Sequence, residues 1–77
     1  MKKQENLVRK NNLQKYRKWK GLTQVELSQK TGVCISIIRL IESKYHYPKY
    51  LTRKKICDFF DVELGKMFYV EREGLNE

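Results

Sequence analysis

Seventy-seven residues carrying a formal net charge of +8 specify one domain with a small core and favour a polyanionic partner or an anionic surface. No run is long or apolar enough to span a bilayer and no apolar signal-peptide core follows the basic start, so a cytoplasmic protein without a membrane partner is expected. Two cysteines make neither a disulfide scaffold nor a metal cluster. With no Ser/His/Asp set, no phosphate-cradling glycine loop and no paired inward carboxylates, neither an enzyme nor a cofactor or small-molecule ligand is expected.

Residues 1–12 read as a basic arm or a short strand, with Leu7 and Val8 a brief apolar pair among polar neighbours. Met1–Lys20 carries eight Lys/Arg and one acid, Gly21–Cys57 seven and two, and Asp58–Glu77 two and six. The chain is therefore basic until its C-terminal end turns acidic. Asn11 and Asn12 offer an N-cap for a first helix over Leu13–Trp19, with Leu13 and Tyr16 inward and Gly21 ending it. Thr23 is placed to cap a second helix over Gln24–Lys30, and Glu26, three residues on, completes a capping box. Gly32 ends that helix where the chain needs positive φ. A third helix over Ile35–Ser43 follows, with Val33, Ile38 and Ile41 inward. Lys44–Tyr47 is a basic and aromatic loop that could instead pack on the domain. Pro48 signals the start of a fourth helix over Lys49–Phe60, with Tyr50, Ile56, Cys57 and Phe60 inward. Leu64–Phe68 is a short fifth helix, and Tyr69-Val70 opens a weak strand signal in the 69–77 tail.

The segment Thr23–Glu42 organises the rest. Two short helices over a glycine turn, with Ser28 small enough for close crossing and no internal proline, make a helix-turn-helix over residues 24–43. The second helix of that motif is built to enter a DNA major groove. If Val33, Ile38 and Ile41 point inward, then Cys34, Ile35, Ser36, Arg39 and Leu40 face outward or sit at the exposed helix start. Arg39 suits a guanine edge or a phosphate, and Ser36 a base or a phosphate. Ile35 and Leu40 offer apolar surface, suited to thymine methyl groups, to the core or to another protein. Cys34 reads either as a weak cap near a phosphate or as a redox-sensitive thiol.

Over Leu13–Phe68 the chain resembles the Cro and repressor-type helix-turn-helix family, also called the xenobiotic-response-element family. The likeness rests on Arg17, Leu22-Thr23-Gln24, Gly32-Val33, Glu42, Pro48 and the run from Asp61-Val62 to Met67-Phe68. Cys34, Thr31 and Arg53 depart from it, standing where the family has a hydroxyl cap, an apolar residue and a core aliphatic. The resemblance implies an all-α, five-helix lambda-repressor-like domain with room for a short two-stranded β-ribbon made by the two termini. It implies an Arg17–Glu42 ion pair between the first and third helices. It places Gln24 at the DNA backbone, and Thr23 beside it is expected to bind DNA as well. Lys44, Tyr45, Lys49 and Arg53 flank the end of the third helix, where phosphates would run, and are expected phosphate grips.

Together these readings point to sequence-specific binding of double-stranded DNA by a small bacterial or phage repressor. A homodimer on a two-fold symmetric operator is expected, because one domain this small reads few base pairs. Phe59, Met67, Phe68, Tyr69 and Val70 are the expected dimer interface. An antitoxin or other module that uses the same fold to hold a protein is one alternative, supported by Ile35 and Leu40; a basic domain that binds RNA or a membrane surface is another, supported by charge alone.

Overall fold

The computed structural model describes the backbone of residues 6–43 and 46–73 and the side chains of 7–43 and 46–71. Five helices and a two-stranded ribbon follow one another in the order β1 (Asn6–Asn11), α1 (Leu13–Trp19), α2 (Gln24–Thr31), α3 (Ile35–Glu42), α4 (Tyr50–Phe60), α5 (Leu64–Met67) and β2 (Phe68–Glu73).

Local chemistry sets most boundaries. Asn11 rather than Asn12 caps α1: its Oδ1 accepts the Leu13 N–H at 3.0 Å, while the Asn12 side chain at the N-cap position makes no cap bond. At the other end Gly21 adopts φ 73°, and the Leu22 N–H reaches back to the Arg17 carbonyl. Helix α2 opens with a complete capping box. Thr23 Oγ1 accepts the Glu26 N–H at 3.0 Å, and Glu26 Oε1 accepts the Thr23 N–H at 2.8 Å. Gly32 closes it at φ 79°. Thr31, polar where an aliphatic would be usual, satisfies itself locally: Oγ1 donates to the Leu27 carbonyl and accepts the Val33 N–H.

The core collects one to three side chains from nearly every element: Leu13, Leu27, Val33, Ile38, Ile41, Ile56, Cys57, Phe60, Met67 and Phe68. Helix α3 contributes at a spacing of three, so its inner face is sealed and the opposite face is left to solvent. Tyr50, expected inward, is half-exposed. It is the first residue of α4, and the inward stripe there begins a turn and a half later at Ile56.

The termini pair as an antiparallel ribbon, with Val8 opposite Glu71, Arg9 opposite Val70 and Asn11 opposite Phe68. Directly opposed residues share a face, so Asn11 and Phe68 stand on the same side as Arg9, Val70 and Leu7. That side is buried at the base of the ribbon, where Phe68 enters the core, and exposed towards its tip, where Leu7 and Val70 lie. Lys10 and Glu71 form an ion pair on the other side, at 3.0 Å. Asn11 also anchors the ribbon to the helices. Its Nδ2 donates to the Ile41 carbonyl at 3.0 Å, and the adjacent Asn12 N–H donates to the Met67 carbonyl at 2.9 Å.

Candidate nucleic-acid interface

Helix α3 is held against the scaffold by polar contacts on several sides. At its start, the Ser28 hydroxyl of α2 donates to the Val33 carbonyl at 2.6 Å, which draws the turn onto α2. Near its end, Glu42 receives Arg17 in a two-pronged pair: Nε to Oε2 at 2.6 Å and Nη2 to Oε1 at 2.9 Å. A planar guanidinium fork locked on a carboxylate fixes orientation as well as distance. Arg17 Nη1 donates to the Leu22 carbonyl at 2.7 Å, so each terminal nitrogen of the buried fork has a partner. The hydrogen bond that Glu42 accepts, and then its charge, raise the Arg17 pKa against the opposing effect of burial. Gln24 Nε2 donates to the same Glu42 oxygen at 3.0 Å, bringing α2 into the cluster.

The outward face of α3 carries Cys34, Ser36, Arg39 and Leu40, all exposed, and Ile35, half-buried. The Cys34 thiol makes no cap bond but lies 3.1 Å from Ser36 Oγ. That hydroxyl, with the nearby Ser36 and Ile37 amides, pulls the thiol below its ordinary pKa. Buried Cys57 is pushed the other way, by burial first and by the neighbouring Asp58 charge second. Thr23 is exposed beside Gln24 at the start of α2. Lys49 is exposed at the N-cap of α4. Lys44 and Tyr45 lie outside the described residues.

Arg53 occupies a place the sequence does not announce. Its Nε donates to the Pro48 carbonyl at 3.0 Å, and its guanidinium lies over the Tyr47 ring, 4.9 Å from the centroid. Tyr47 in turn meets Phe68 edge to face at 6.0 Å. Sequence reasoning missed Arg9, whose guanidinium also lies 4.9 Å from the Tyr47 centroid. An alternating run before the first helix was its only sequence signal, because its neighbour is set by the ribbon register.

The expected dimer surface needs correction. Met67 and Phe68 are almost wholly buried within the protomer and have no face to offer a partner. Phe59 packs partly against the core and Tyr69 is half-buried, which leaves Val70, half-exposed, as the clearest apolar surface of that set.

A helix-turn-helix family model matches residues 13–67. The chain belongs to the helix-turn-helix family of the xenobiotic-response-element type. A solved structure described as the crystal structure of transcriptional regulator VanUg, Form II, superposes with a TM-score of 0.72 at 15% identity. It covers 95% of this chain and 97% of that one. At that identity the likeness is one of fold, and it extends beyond the family match. No curated protein sequence matches the chain. No helix among the described residues is long and apolar enough to cross a membrane.

Proposed function

We propose that this helix-turn-helix protein binds double-stranded DNA sequence-specifically as a small cytoplasmic transcriptional regulator, laying α3 in the major groove. The observation that carries the reading is the division of α3. Ile38 and Ile41 are sealed in the core, while Cys34, Ser36, Arg39 and Leu40 stand exposed on a helix held by the Arg17–Glu42–Gln24 cluster. Arg39 is the base-reading residue and Ser36 its polar neighbour. Ile35 and Leu40 supply apolar contacts to thymine methyl groups. Thr23, Gln24 and Lys49, with Lys44 and Tyr45, contact phosphates and set the register, a task in which helix N-termini also serve.

Repression through a homodimer on a two-fold symmetric operator is the finer form of the proposal, since one eight-residue helix reads only a few base pairs. The second reading, a module that holds a protein, is favoured by Leu40, which leaves 46% of its surface open on that same face. Selection of binding sites from random duplexes, with excess competitor DNA, separates the two. DNA recognition predicts an enriched site. Arg39→Ala should then lower affinity for that site by about 1–3 kcal/mol and relax one base position. No enrichment, or a variant that keeps both affinity and preference, would reject α3 as the reading helix.

A further inference from the structure

Two guanidinium groups share one aromatic ring beside the end of α3. Arg9 of β1 and Arg53 of α4 each lie 4.9 Å from the centroid of Tyr47, so their charges fall within about one Debye length of each other at 0.1 M salt. Among the described residues neither has a carboxylate within ion-pair distance. Like charges gathered this closely, with no such carboxylate among the described residues, suit an anion. Arg53 also lies 5.9 Å from the Tyr50 centroid. The donors of a guanidinium lie in one plane, so a phosphate can accept two at once. Tyr47 is itself held by Phe68, and Arg53 by the Pro48 carbonyl, so the platform is ordered before any ligand arrives.

The place of the cluster says which anion. Asn11 ties β1 to the Ile41 carbonyl in the last turn of α3, and Tyr47 follows five residues after that helix ends. An eight-residue helix is about 12 Å long, roughly the width of the major groove, so groups at its end arrive at the groove's phosphate wall. We propose that Arg9 and Arg53, both packed against the Tyr47 ring, form a clamp for a DNA backbone phosphate, making the N-terminal strand part of the DNA-binding surface. The clamp rests on the DNA-binding reading above but assigns a contact from outside the helix-turn-helix.

Binding of a duplex of about 30 base pairs, measured by fluorescence anisotropy across a salt series, tests it. Arg9→Gln should reduce the slope of log affinity against log salt by about 0.9 and weaken all sequences alike, roughly tenfold at low salt. Thermal unfolding followed by circular dichroism should be unchanged, because Arg9 is exposed. Arg9→Lys should restore most of the slope. Wild-type binding with an unaltered Arg9→Gln slope would overturn the clamp while leaving DNA binding intact. A wild type that binds no duplex would remove the underlying reading and the clamp with it. Inorganic phosphate at constant ionic strength should not compete with the duplex. Competition that vanishes in Arg9→Gln would overturn the assignment in favour of a free phosphate.

Discussion

Removing one partner of the Arg17–Glu42 pair should cost much more than removing both. The Arg17 side chain is 10% exposed and the Glu42 side chain 3%, so neither charge can turn to water without moving a helix. Glu42→Leu leaves a buried guanidinium with the Leu22 carbonyl alone, and it also strips Gln24 of its acceptor. Arg17→Met leaves a buried carboxylate with only the Gln24 amide. Each single change should destabilise by about 3–5 kcal/mol, the usual cost of an uncompensated buried charge. That is a large share of the roughly 4–11 kcal/mol expected for a domain of this size. The double variant puts apolar groups of similar volume in the same space and should return to within about 2 kcal/mol of wild type. The coupling energy is then about 4 kcal/mol or more, read from urea melts of all four proteins at matched m-values. Gln24→Ala should cost about 1 kcal/mol in wild type and almost nothing in the Glu42→Leu background. Single costs that simply add, within about 0.5 kcal/mol, would mean that the pair does not hold α3.

The lowered Cys34 pKa gives a pH prediction. A depressed pKa keeps thiolate present at lower pH, so iodoacetamide should label Cys34 from a lower pH than a free cysteine, and Ser36→Ala should move that onset upwards. Buried Cys57, whose pKa is raised, should label only on unfolding. For the dimer, wild type should sediment as two protomers at micromolar concentration. Leu7→Glu combined with Val70→Glu should give a monomer with unchanged helical circular dichroism, and a dimer that survives both changes would rule out the ribbon tip as the interface.

What the sequence could reveal was governed by range. The capping box at Thr23 and Glu26, the positive φ at Gly32 and the inward stripe of Val33, Ile38 and Ile41 are all fixed by residues within one or two turns, and each could be read directly. The outward set on α3 followed by subtraction. The Arg17–Glu42 contact spans 25 residues and became visible only through family resemblance. Contacts with neither support were lost. Tyr47 could not be assigned between loop and core until the ribbon register put Phe68 and Arg9 against it. Met67 and Phe68 read as surplus apolar surface because a linear reading cannot count how many side chains a small core absorbs. Asn11, offered with Asn12 as an ordinary cap, bonds both the start of α1 and the end of α3, a task no local pattern encodes.

That last contact bears on how recognition and assembly are connected. An isolated helix of eight residues is not stable in water, so the direction in which α3 presents Arg39 is set entirely by what grips it. Ser28 holds the turn before the helix, Arg17 and Gln24 hold Glu42, and Asn11 holds the Ile41 carbonyl. The first three grips come from helices of the compact body. The fourth comes from the ribbon, whose tip exposes Leu7 and Val70. A second copy seated on that tip would bear directly on the strand that carries both Asn11 and Arg9. Pairing two protomers would then steady the end of each recognition helix as well as bring two of them to one operator. If two protomers pair through that tip, the hydrogen bond between Asn11 and Ile41 would be the contact that couples dimerisation to DNA binding.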